Sequence, residues 1–111
     1  MGKDSLSLLQ GTVDLIVLRV LAEGTAHGYG IAQRVRDGTT GELALDDAAL
    51  YQALHRLERQ RLLEAHWAAS ENNRRARYYT LTAAGERRLR QRASEWRRYA
   101  RALDLLLKGL S

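Results

Sequence analysis

Apolar residues recur at helical spacing in the middle of this chain, and a few residues later they alternate. Leu50, Ala53, Leu54 and Leu57 fall on one helix face, with Ala48, Tyr51, Gln52, His55 and Arg59 opposite. From Leu63 the period is two. Leu63, Ala65 and Trp67 share one strand face, as do Tyr79 and Leu81 after a reversal at Ser70–Arg75. Earlier, Val13, Leu15, Ile16, Val17, Leu18, Val20 and Leu21 cover nearly every direction of a helix expected from Thr12 to about Glu23. A helix apolar all round is buried on more than one side, and in a domain this small the second cover is expected to be another chain. Gly24-Thr25-Ala26 interrupts it. His27-Gly28-Tyr29-Gly30 then opens a second helix with Ile31, Ala32 and Val35 inward, ended by Gly38–Gly41. Asp46 is placed to N-cap the third helix, and Thr82 to cap a last helix reaching about Lys108.

That last helix carries its own repeat. Leu89, Ala93, Trp96, Ala100, Leu103, Leu107 and Leu110 follow at alternating spacings of four and three, the mark of a coiled-coil seam. At about 1.5 Å per residue such a helix runs on the order of 40 Å, too long for the small core to cover. The seam asks for a second copy of the chain, for a fold-back onto the first helix, or for both.

The expected fold is therefore mainly α with a small β-hairpin. A polar-faced helix followed by a hairpin with a basic tip is how a winged helix-turn-helix reads, and that fold sets the helix in the DNA major groove and the hairpin against phosphates. The expected organisation is a DNA-binding unit over residues 1–82 and a dimerisation helix over residues 83–111. On the third helix, Gln52 and His55 point at base edges while Tyr51 donates to a phosphate; an ordinary hydrated helix face is the alternative. Arg56 lies nearer the side of the helix, where a salt bridge is as good a reading as DNA. In the hairpin, Arg74, Arg75 and Arg77 are expected to track phosphate. Asn72-Asn73 suit the positive φ of a tight turn, and Asn73 is a further candidate contact. Lys3 is a candidate phosphate contact from an N-terminal arm.

Charge sharpens this picture. Of 111 residues, 18 are Lys or Arg and 13 Asp or Glu, giving +5. Residues 74–101 hold ten arginines and two glutamates, whereas residues 1–73 hold seven basic and ten acidic groups. The positive field belongs to the hairpin tip and last helix, and suits a polyanion. There is no cysteine, hence no disulfide or thiolate metal site. His27, His55 and His66 lack metal-ligand spacing, and no serine has a base at a recognisable distance, so neither a metal, a cofactor nor an enzyme is expected. No apolar run is long enough to span a bilayer, and the N-terminus lacks the order of a secretion signal, so the expected location is the cytoplasm.

Four segments in order carry a resemblance. Leu8-Leu9-Gln10-Gly11-Thr12-Val13-Asp14-Leu15-Ile16-Val17-Leu18 resembles the opening of PadR-type transcriptional regulators, and His27-Gly28-Tyr29-Gly30-Ile31 matches their HGYGI. Leu50-Tyr51-Gln52-Ala53-Leu54-His55-Arg56-Leu57-Glu58 resembles their LYPALxRLE, and Arg77-Tyr78-Tyr79-Thr80-Leu81-Thr82-Ala83-Ala84-Gly85 their KYYxLTxxG. The resemblance implies a homodimeric regulator, usually a repressor, bound to a pseudo-palindromic operator in double-stranded DNA. Its last helix would pair with that of the partner subunit and pack on the partner's first helix. Some small members of the family bind flat hydrophobic effectors between subunits. Here Trp96 at the seam, with Val13, Ile16, Val17 and Tyr99 nearby, is the candidate site for a planar aromatic effector; a buried dimer anchor without ligand is the alternative. Two departures stand out: Gln52 replaces the family's proline, and Ala49 the usual small hydroxyl residue. Gln52 adds an amide able to pair with adenine, so base contacts cannot be copied from relatives. An activator of the same fold, or a dimeric ligand- or protein-interaction module, are the rival readings.

Overall fold

The computed structural model describes residues 11–110. Lys3 and the Leu8–Gln10 part of the opening motif lie outside the described residues. The elements follow in the order α1 (Thr12–Leu21), β1 (Ala26–His27), α2 (Gly28–Gly38), α3 (Asp47–Arg59), β2 (Leu63–Ala69), β3 (Arg75–Leu81) and α4 (Ala83–Leu107). This is the winged helix-turn-helix expected from the pattern. Val17, Leu18, Ile31, Leu50, Leu54, Leu57 and Leu63 are fully buried, so the core lies where α1, α2 and α3 meet the base of the hairpin.

The caps fall where the residue types put them. Asp46 accepts from the Ala49 amide at 3.1 Å, and Thr82 from the Gly85 amide at 3.0 Å; each satisfies a first-turn N–H that has no partner within the helix. His27 does the same for α2 through its imidazole, accepting from Gly30 N–H at 3.0 Å. The first helix stops two residues short of Glu23, because Glu23 and Gly24 donate to Val20 and Leu21 and tighten the last turn.

One strand has no counterpart in the sequence reading. Ala26–His27 pairs antiparallel with Tyr78–Tyr79, giving a three-stranded sheet in the order β1-β3-β2. Two residues are too few to display an alternation. The hairpin itself is in register from Leu63↔Leu81 to Ala69↔Arg75.

Two features of burial come from the packing. Trp67 shares its strand face with Leu63 and Ala65, but the core ends before it: Leu63 is 2% exposed and Trp67 52%. Leu89, placed in the seam, is buried in its own chain's core. The start of α4 folds back over α1, as one of the sequence alternatives had it, and the remainder leaves the domain. Beyond Leu89 the seam loses its cover. Ala93 and Ala100 are half-buried, while Trp96, Leu103, Leu107 and Leu110 are exposed, Leu110 lying just past the helix end. Leu105 and Leu106, outside the seam, are more exposed still, at 72% and 80%.

Candidate nucleic-acid interface

Helix α3 buries Leu50, Ala53, Leu54 and Leu57 and so must turn Tyr51, Gln52, His55 and Arg59 outward. The hairpin rises beside it. Between them runs an open groove of about 660 Å³ whose walls include Tyr51 and His55 of α3, Tyr29 of α2, and Trp67, Arg74, Arg75 and Arg77 of the hairpin. Gln52 is exposed on the same helix but is not among the groove's lining residues.

The hairpin tip is a tight turn. Ser70 donates to the Arg74 carbonyl at 2.7 Å, and Asn73 to the Ser70 carbonyl at 2.8 Å. Asn73 takes φ +60°, a left-handed conformation that asparagine tolerates better than most residues. Arg74 and Arg75 follow directly and are exposed.

The arginines fall into two groups. Arg56 is turned away from the groove: its Nε lies 3.3 Å from Asp14 Oδ2 of α1, and its Nη2 donates to the other carboxylate oxygen. This hydrogen bond raises the Arg56 pKa further above its ordinary value. Of the two roles open to Arg56 in the sequence, the structure has the salt bridge. Arg77 is likewise engaged, donating to Glu58 Oε2 of α3 at 2.7 Å, which raises its pKa too. Expected to track phosphate, Arg77 instead braces the hairpin against α3 in this structure. Arg74 and Arg75 carry no such ion pair among the described residues.

A carboxylate also enters the basic region. Glu71 Oε1 lies 3.4 Å from His27 Nε2. A backbone hydrogen bond at Glu71, and then this His27 contact, hold its carboxyl below the usual range. Because Nδ1 of His27 accepts from Gly30, the ring proton belongs on Nε2, facing Glu71. One imidazole thus caps α2 and tethers the wing turn. The same ring meets Tyr78 edge-on at 5.1 Å between centroids.

Tyr51 is fixed from below. A Cβ at Gly28 would collide with the end of the Tyr51 ring, so the phenol lies across the bare backbone that starts α2. Sequence reasoning missed this role for Gly28, as it missed Glu58, Glu71 and Tyr29. It also gave Trp67 a strand face but no part in the groove. An aromatic residue two alternations past Leu63, with arginines on the partner strand, was the signal available.

The expected effector residues are only partly brought together. Trp96, 42% exposed, stands between two surface depressions of about 410 and 380 Å³. Ile16 lines the first, Tyr99 the second, and Leu15, not singled out in the sequence, lines both. Val13 lines neither. Val17 is wholly buried in the core and cannot face a ligand there. Among the described residues, no group of three or more His, Cys, Asp or Glu could hold a metal ion, and no helix is long and apolar enough to cross a membrane.

Comparison with known proteins agrees with this geometry. Residues 17–91 match the model of the transcriptional regulator PadR-like family. A transcriptional regulator from Clostridium thermocellum is similar in structure at TM-score 0.81 and 29% identity, covering 89% of this chain and 93% of that one. A PadR family transcription regulator from Clostridium difficile R20291 has TM-score 0.75 and 28% identity, with 87% and 99% covered. A curated protein of Lysinibacillus sphaericus, whose own function is uncharacterised, is 29% identical over 93% of this chain and 94% of its own length. The match over residues 17–91, which takes in the core, α3 and the hairpin, shows that the chain belongs to the PadR-like family of transcriptional regulators.

Proposed function

We propose that this chain is a homodimeric, effector-responsive repressor that binds a pseudo-palindromic operator from the cytoplasm. The observation that carries the DNA reading is the groove between the exposed face of α3 and the wing. Gln52 and His55 read base edges in the major groove, Tyr51 donates to a phosphate, and Arg74 and Arg75 hold the flanking backbone, with Asn73 at the turn within reach of it. Arg56 and Arg77 act at one remove, keeping α3 fixed against α1 and the hairpin. Residues 83–111 supply the dimer contact. What supports a second copy is the run of exposed apolar side chains from Trp96 to Leu110 on a helix that leaves its own core. Two reading heads then meet half-sites about 34 Å apart, one turn of DNA. A planar aromatic effector beside Trp96 would act by favouring one separation of the heads, and a preference of a few kcal/mol suffices.

Gel retardation with DNA from upstream of the gene and its neighbour tests the reading. Retardation that resists random competitor, at a stoichiometry of two chains per site, is the expected result. No retardation at micromolar protein and low salt would leave the scaffold as an interaction module. Reporter expression in a deletion strain separates repressor, where expression rises, from activator, where it falls.

A further inference from the structure

Trp67 is a large, half-exposed indole on the groove side of the wing, with no place in the core and no role in the contacts above. Two guanidiniums sit against it: Arg75 Cζ lies over its ring at 4.9 Å from the centroid, and Arg77 Cζ at 5.6 Å. Arg77 is its cross-strand partner, and Arg75 sits two residues along the same strand. Both distances fall within the range of cation–π attraction.

The two arginines differ in one respect that matters for phosphate. Arg77 is held by the Glu58 carboxylate, which takes one of its N–H donors and offsets its charge. Arg75 has no ion pair among the described residues, and the indole is the group that orients it. A guanidinium carries five N–H donors in its plane, and a partner that attracts it through a ring face leaves those donors and the full charge available. A carboxylate in place of the indole would fix Arg75 equally well and disarm it.

We propose that Trp67 is a positioning residue for DNA binding, which holds Arg75 over the groove in a fixed orientation while leaving its charge and donors free for a phosphate. This rests on the DNA reading above. In a long flexible side chain the alternative is disorder, and ordering it on binding costs affinity.

Trp67→Leu keeps apolar bulk and removes the ring; Trp67→Phe keeps a ring. Affinity for operator and for random DNA is measured by fluorescence anisotropy across a salt series, with urea unfolding as the stability control. The expected result is a loss of about two- to five-fold per wing on both DNAs for Trp67→Leu, with most of it recovered in Trp67→Phe. In an Arg75→Ala background Trp67→Leu should have almost no further effect, since the group it positions is gone. Two results overturn the proposal: Trp67→Leu binding like wild type, or Trp67→Leu costing as much without Arg75 as with it. Wild-type protein that binds neither DNA overturns the DNA reading itself, and the proposal with it.

Discussion

At the residue scale, the interface depends on which cations are already spoken for. Composition counts arginines but does not say that Arg56 faces Asp14, 42 positions earlier, or that Arg77 faces Glu58, 19 earlier. Those pairings exist only once α1, α3 and β3 are packed, which is why the sequence reading left Arg56 open and did not foresee the Glu58 partner of Arg77. Arg75, exposed and without an ion pair among the described residues, is the phosphate ligand proposed above that is simplest to test. Arg75→Ala should weaken operator and random DNA alike and lower the slope of log affinity against log salt by about one per wing. Gln52→Ala should instead relax preference at one operator position and leave the slope unchanged, since an amide releases no counterion. Binding titrations at several salt concentrations distinguish the two. Gly28 offers a third test. A methyl there meets the tip of the Tyr51 ring, a half-exposed side chain with room to swing away. Gly28→Ala should therefore change unfolding stability by less than about 1 kcal/mol, yet weaken DNA binding as Tyr51 leaves its place; loss of stability with normal binding would refute that.

At the element scale, long periodic segments were legible and short or junctional ones were not. Helix α3 was readable because four buried positions and an aspartate cap agree, and the hairpin because both strands alternate about a turn rich in asparagine. The two-residue strand β1 was invisible, since its place is set by pairing with Tyr78 and Tyr79 rather than by its own residues. The exposure of Trp67 was illegible for a related reason: alternation gives the face of a strand but not where along it the core stops. The junction before α4 is another feature that only packing reveals. Thr82 donates its hydroxyl toward the Arg61 and Leu62 carbonyls and accepts from Gly85. Gly85 lies so close to the Leu62 carbonyl that no side chain fits. Because the obstacle is backbone rather than a mobile side chain, Gly85→Ala should lower stability by about 1–3 kcal/mol, measured by urea unfolding, although alanine is the better helix former. An unchanged midpoint would mean that α4 can shift freely on the hairpin.

At the scale of the whole molecule, the chain packs its core and leaves beyond it a helix that is basic but carries a run of exposed apolar side chains. Leucines that stay exposed at 39–80% over a helix end are costly for a monomer in water, and a second copy is the economical cover. Leu103→Asp would put a charge in that contact, where desolvating it costs several kcal/mol. Sedimentation should show wild type as a dimer and the variant as a folded monomer, because Leu103 takes no part in the core. A wild-type monomer at micromolar concentration would end the dimeric reading. The same surface carries the proposed effector site. Trp96 lies between two depressions, flanked along the helix by the small side chains of Ala93 and Ala100, so a planar guest has both an indole face to stack on and room beside it. Stacking quenches indole fluorescence, and the second indole, Trp67 on the wing, provides an internal reference. Titration with flat aromatic cations, flavins or phenolic compounds, without DNA present, should quench wild type and spare Trp96→Ala, whose remaining emission comes from Trp67. Quenching of equal depth in both proteins would place the guest elsewhere and remove Trp96 from the effector site, while leaving the operator-binding face untouched.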